Sequence, residues 1–388
     1  MQKLSLPIPA PEALAASEAL TQQLRAAVAE QGWIPFSQFM EKLLYTPQLG
    51  YYSGGATKLG KDGDFTTAPE ISPLFGGTLA RLYASLLPAI APEVMEFGAG
   101  TGKLAKDFLT ECRAAGIAVR CYAIVDLSGE LQARQRETLA AFPEVVWLDQ
   151  MPEAFSGLVL GNEVLDAMPV NLVQRDNGVW RERGVALEED GAFCWQNGPQ
   201  VPAEWLEQMS DHDHLPDGYL TELHPVACGF MRSLSQMLIN GQQQTGSHGV
   251  AVLIDYGFPE REYYHPERDQ GTLMCHYRHH AHPEPFYLPG LQDVTAHVDF
   301  TAMAVAASQQ GAQVQFYNSQ AAFLLGAGIT DLLSRTSAED ALSYLPQSQA
   351  LQKLTSPAEM GELFKVLIIG TGADLPPLLQ LQDRSHRL

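Results

Sequence analysis

Short apolar runs alternate with longer stretches of mixed polarity through the middle of the chain. Residues 94–97, 119–125, 145–148 and 157–160 read as strands, with helices over 103–115 and 129–141 between them. Three further apolar runs, 249–255 (GVAVLID), 312–317 and 364–369, bring the strands to seven, and 300–310 reads as a helix. Five strands in regular strand–helix alternation predict right-handed crossovers and a parallel sheet, the α/β class. Ligands of such open sheets sit beyond the carboxyl ends of the strands, near the point where strand order reverses.

The flanks read differently. Residues 12–31, rich in Ala, Leu, Glu and Gln, predict a helix stopped by Gly32. Ser37 opens a second helix (SQFMEKLLY), a Gly- and aromatic-rich loop covers 46–68, and Ser72-Pro73 starts a third helix. The alternation is lost over 172–218, which carries Trp180, Trp195 and Trp205 and reads as β-hairpin and turn material inserted into the core. Residues 259–289 read as a long polar, His-rich loop. The expected division is therefore a helical region with a lid loop (1–88), a first part of the core (89–171), an inserted substrate-side subdomain (172–245) and a second part of the core (246–388).

Composition narrows the function classes. At 388 residues, 46% hydrophobic and 18% charged, the chain has ample apolar content for a packed core and is not of the disordered type. Its net charge of −21, with no Lys/Arg cluster, argues against a nucleic-acid partner and suits a basic protein or peptide partner. No apolar run approaches the roughly 18–20 residues of a membrane span. Five cysteines, none in a CxxC pair, point to a reducing compartment rather than a disulfide framework. The first residues carry Glu12 and Glu18 and match neither a secretory signal nor a transit peptide, so the expected location is cytoplasmic.

The first strand ends in Glu96-Phe97-Gly98-Ala99-Gly100-Thr101-Gly102-Lys103. A dinucleotide turn requires a small residue where Lys103 stands, and a P-loop requires Gly at Phe97 and Ser or Thr at Leu104, so both fail. S-adenosylmethionine has no phosphate, and its ammonium and sulfonium suit a glycine turn flanked by a carboxylate. The second strand ends at Asp126, placed to accept from ribose hydroxyls or to cap the following helix. Trp147 and Asp149 offer either an adenine wall with a polar partner or a core ring beside a turn. After the fourth strand, Asn162, Glu163 and Asp166 gather an amide and two carboxylates (GNEVLDAMP), a natural partner set for a guanidinium.

These segments resemble the MidA-like methyltransferases, bacterial relatives of a mitochondrial complex I assembly factor that is a protein arginine methyltransferase. The resemblance rests on Gly50-Tyr51-Tyr52, on GDFTTAPEIS (63–72) and on EFGAGTGKLAKD (96–107). It continues through GNEVLDAMPV (161–170), LIDYGFP (253–259), GTLMCHYRHHAH (271–282) and DVTAHVDF (293–300). It implies a Rossmann-like, seven-stranded class I methyltransferase sheet with its last strand antiparallel, an N-terminal helical extension and an inserted subdomain, and S-adenosyl-L-methionine as cofactor. By similarity Glu96, Gly98, Gly100 and Gly102 map to the donor turn, Asp126 to the ribose, and Asn162 and Glu163 to the methionine end. Asp64, Thr67, Pro69 and Glu70 map to a lid over the cofactor. The expected catalytic residues are Glu163, Asp166, Asp255 and Tyr256, and the expected partner is a protein with an accessible arginine.

The histidines at 276, 279, 280 and 282, flanked by His265 and His297, have no ligand spacing that fixes a metal geometry, so no metal is expected; His279 and His297 are candidate proton acceptors. The competing class is an assembly or interaction factor that keeps the cofactor pocket for structure or sensing.

Overall fold

The computed structural model describes residues 6–54, 66–126 and 128–388. They fall into two compact units. One comprises Thr66–Val164, Cys228–Pro259 and Met303–Leu388, the other Met1–Phe65, Leu165–Ala227 and Glu260–Ala302.

The first of these is built on a sheet whose strands are, in chain order, β1 (Glu93–Phe97), β2 (Cys121–Val125), β3 (Val145–Leu148), β4 (Leu158–Asn162), β5 (Val250–Phe258), β6 (Gln313–Ser319) and β7 (Phe364–Gly370). They lie side by side in the order β6-β7-β5-β4-β1-β2-β3. β1 pairs in parallel with both β2 and β4, β4 with β5 and β2 with β3. β7 is inserted antiparallel between β5 and β6. Strands covered on both faces carry near-continuous apolar runs, as β7 (FKVLIIG, buried throughout) shows. Helices α1 (Pro73–Leu86), α2 (Lys103–Ala115) and α3 (Gly129–Thr138) precede β1, β2 and β3 respectively. Ser72 caps α1, its hydroxyl accepting the Leu74 N–H. Leu79, Tyr83, Phe108 and Tyr122 join Val94, Leu160, Val252 and Ile368 in one core. Strand order reverses at β1 and β4, so the turns after these strands stand at the switch point.

The second unit holds helices Pro11–Gln31 and Phe36–Tyr45 and an antiparallel sheet from Asn171–Asp176, Val179–Leu187, Phe193–Gln200 and Leu220–Leu223, with Ile34–Pro35 at its edge. The hairpin reading of 172–218 agrees with this. The loop reading of 259–289 does not: the stretch contains a helical turn, Glu260–Tyr263, and strands Met274–Tyr277 and His280–His282, which pair with Asp293–Thr295. Polar side chains hid the strand alternation, in which Cys275, Tyr277 and His282 are the inward positions. Glu222, fully buried, anchors this stretch. Its carboxylate accepts the N–H groups of Thr272 (2.8 Å) and Leu273 (3.0 Å) and the hydroxyl of Tyr263 (3.0 Å).

Candidate active site

The turn after β1 is made by three glycines in the left-handed region: Gly98 (φ 61°), Gly100 (φ 52°) and Gly102 (φ 81°). A side chain at any of them is strained by its own carbonyl. The N–H of Gly98 donates to the carbonyl of Val125, which ties the turn to β2, and Gly102 opens α2. Lys103, the cation that follows, is engaged by Asp107 one helical turn on.

Acids flank this turn. Glu96 is buried under the strand end and accepts the hydroxyl of Tyr122 at 2.7 Å. Burial raises its carboxyl to about 7, with Asp126 adding and the Tyr122 bond opposing. Asp126, at the end of β2, accepts the Ser128 N–H on Oδ1 (2.9 Å) and the Gln135 amide on Oδ2 (2.7 Å). Burial pushes its carboxyl up, and those two bonds hold it down. The cap of α3 falls to Ser128, whose hydroxyl accepts the Leu131 N–H, so Asp126 is not the capping residue. From the short helix Ala68–Ile71, which carries Pro69 and follows Thr67, Glu70 accepts the hydroxyl of Thr101 at 2.5 Å and so touches the glycine turn. Asp64 lies outside the described residues.

The turn after β4 is held from β5. The N–H of Glu163 donates to the carbonyl of Ile254 (2.9 Å) and that of Val164 to the Asp255 carboxylate (3.1 Å). The second Asp255 oxygen accepts the N–H of Tyr256 (2.9 Å). Asp255 is buried, and these contacts make it a positioning residue for the turn. Tyr256 packs against Phe364 of β7, ring centroids 4.0 Å apart and planes tilted by 38°. Glu163 sits at φ 55°, a conformation that costs a non-glycine residue of order 1 kcal/mol and concentrates at functional sites. The Asn162 amide nitrogen donates to Glu163 (2.9 Å), while its buried Oδ1 finds no hydrogen-bond partner among the described residues.

Asp166 belongs to the other unit, where it is buried and its carbonyl accepts the N–H of Ala296. His279 is exposed on the turn between Met274–Tyr277 and His280–His282. His297 is half-buried, and desolvation lowers its imidazole to about 4. Among the described residues no cluster of three or more His, Cys, Asp or Glu is arranged to hold a metal ion. Sequence reasoning missed Gln135 and Thr101. The visible signal for Gln135 was a helix (GELQARQRET) with almost no apolar residue to turn inward.

The residues fit an S-adenosyl nucleoside better than a pyrophosphate. Buried acids stand at the ends of β1 and β2, an amide oxygen at the end of β4 has no partner among the described residues, and the lysine after the glycine turn is already paired. The sheet order, with β7 inserted antiparallel, and the acid-flanked glycine turn define a class I methyltransferase. The chain belongs to the family described as "Putative S-adenosyl-L-methionine-dependent methyltransferase", which matches residues 76–318. A crystal structure from Burkholderia thailandensis bound to S-adenosyl-homocysteine is 52% identical, covers 99% of this chain and 100% of that one, and superposes with a TM-score of 0.93. The Drosophila melanogaster protein named "Protein arginine methyltransferase NDUFAF7 homolog, mitochondrial" is 27% identical over 95% of this chain and 90% of its own length. The human protein arginine methyltransferase NDUFAF7 is 27% identical over 89% and 82%. No helix among the described residues is long and apolar enough to cross a membrane.

Proposed function

We propose that this methyltransferase modifies an arginine side chain of a protein acceptor. The observation that carries the reading is the turn after β4, where a carboxylate, Glu163, is kept in a costly backbone conformation by Asp255 and Ile254 of the neighbouring strand. A guanidinium is planar and permanently charged, and a fixed carboxylate is its natural bidentate partner. The relatives named as protein arginine methyltransferases support the same acceptor.

S-adenosylmethionine, when bound, supplies a methyl group activated by a sulfonium. Glu96, Gly98, Gly100 and Gly102 would hold it at the turn after β1, Asp126 at the ribose, and Asn162 and Glu163 at the methionine end. Thr67, Pro69 and Glu70 would close over it. The crystal structure that holds S-adenosyl-homocysteine supports the cofactor. Glu163 orients the acceptor nitrogen. Asp255 fixes the Glu163 turn, and Tyr256 borders it. In-line displacement depends chiefly on this positioning and on exclusion of water.

The test is incubation with labelled donor and a soluble proteome, with the modified residue identified by mass spectrometry. Label on arginine is expected. Label confined to another residue type, from a protein that binds S-adenosylhomocysteine normally, would overturn the arginine reading. Calorimetry with S-adenosylhomocysteine on wild type and Gly100→Asp tests the donor turn, and tight binding that survives the substitution counts against it.

A further inference from the structure

Gln135 is the one buried side chain of α3. An inward helical position is normally apolar, yet here it carries an amide with every group engaged. Nε2 donates to the carbonyl of Gly100 (3.1 Å) and to Oδ2 of Asp126 (2.7 Å), and Oε1 accepts the indole N–H of Trp147 (2.9 Å). One side chain thus joins the turn after β1, the end of β2 and the end of β3. The pattern fixes the amide's orientation, because a carbonyl and a carboxylate only accept and an indole only donates.

We propose that Gln135 is a positioning residue of the donor site, which orients the Asp126 carboxylate and the Trp147 ring toward the nucleoside and so sets donor affinity without taking part in methyl transfer. The inference rests on the S-adenosyl reading of this turn. Each Asp126 oxygen has one donor already, Ser128 or Gln135, and keeps capacity for a ligand hydroxyl. Without Gln135 the carboxylate is held at Oδ1 alone, by the Ser128 N–H, and the Trp147 N–H loses its acceptor. A glutamate here would set a second carboxylate against Asp126 and the Gly100 carbonyl, and two carboxyls sharing a site hold a proton between them. The other charged groups nearby are Glu96 on β1, with Tyr122 of β2 donating to it, and Arg136, whose guanidinium lies 4.1 Å over the Trp147 ring. Arg134 is paired with Glu130 on α3 itself.

The experiment is calorimetry with S-adenosylhomocysteine and with adenosine on the full chain, for wild type, Gln135→Met and Gln135→Glu at pH 6 and pH 8, with kcat and donor KM alongside. Gln135→Met is expected to weaken both ligands by the same factor, about 10- to 100-fold, the size of one or two charge-assisted hydrogen bonds. Its donor KM should rise in step while kcat at saturating donor stays within about twofold. The deficit of Gln135→Glu, relative to wild type at the same pH, should shrink at pH 6, where the introduced carboxyl is protonated and donates to Asp126. Gln135→Met binding both ligands within about twofold of wild type overturns the inference and leaves the donor site intact. So does a loss of kcat with KM unchanged, or a Gln135→Glu deficit that is equal at both pH values. Wild type that binds no S-adenosylhomocysteine overturns the donor reading itself, and the role of Gln135 with it.

Discussion

The Asp255 carboxylate at the end of β5 accepts the backbone N–H of Val164 at 3.1 Å, and so pins the turn on which Glu163 stands. Replacing Asp255 by Ala leaves the N–H groups of Val164 and Tyr256 without their charged acceptor. Unfolding free energy should fall by about 2–4 kcal/mol in urea titration. Methyl transfer should fall about 100-fold while the affinity for S-adenosylhomocysteine changes less than about threefold. Equal loss of both would mean that Asp255 supports the donor site rather than the acceptor turn.

Glu163 separates stability from activity in the opposite direction. At φ 55° a glycine is unstrained, so Glu163→Gly should leave stability unchanged or raise it by up to about 1 kcal/mol. Glu163→Gln should keep the fold and weaken S-adenosylhomocysteine by no more than about tenfold, one lost contact at the methionine end. Both variants should lose arginine methylation by about 100-fold or more, read as incorporated label at saturating donor. A variant that retains more than a tenth of wild-type transfer would remove Glu163 from the acceptor site.

Glu96 makes stability depend on pH. Its carboxyl is raised from the ordinary 4.5 to about 7, chiefly by burial, so between these values the folded state binds more protons than the unfolded chain. This contribution is fully present below about pH 4.5 and is lost as pH rises through 7. The titration at Glu96 should vanish in Glu96→Gln. Denaturant curves at pH 5, 6 and 7.5 should therefore show wild type losing stability relative to Glu96→Gln as pH rises. Parallel pH profiles for the two proteins would show that the carboxyl is not perturbed.

At the start of α2, Gly102 has φ 81°, and a Cβ there would meet Leu139 Cδ1 at 3.3 Å. Gly102→Ala should cost about 1–2 kcal/mol of stability from backbone strain. It should also weaken S-adenosylhomocysteine at least about tenfold by calorimetry, because the strain is relieved by moving the turn. Unchanged affinity in a destabilised protein would place the turn away from the ligand.

Much of the core was legible in the sequence because its strands are buried on both faces and stand out as apolar runs between amphipathic helices. The seven runs at 94–97 through 364–369 all became strands of one sheet, and the turns expected to carry chemistry fell at its switch point. The strands of 274–282 were not legible, since their sequence (MCHYRHHAH) alternates cysteine, tyrosine and histidine with polar residues rather than aliphatic ones. Nor was the gathering of residues 1–65, 165–227 and 260–302 into one unit, because alternation along a chain does not say which core a stretch will join. At the site, Glu96, Asp126 and the glycines could be read from spacing. For Gln135 the only signal was a helix poor in apolar residues, because its contacts come from three partners at Gly100, Asp126 and Trp147.

The antiparallel strand β7 lies between β5 and β6 although it is synthesised after both. A nascent chain that has emerged only as far as residue 340 therefore carries β5 with one ladder of N–H and C=O groups open and β6 with no strand neighbour in this sheet. Such edges invite pairing with other chains. Release of residues 364–370 is consequently the step that closes the sheet, and premature termination upstream of it should yield aggregated rather than merely shortened product.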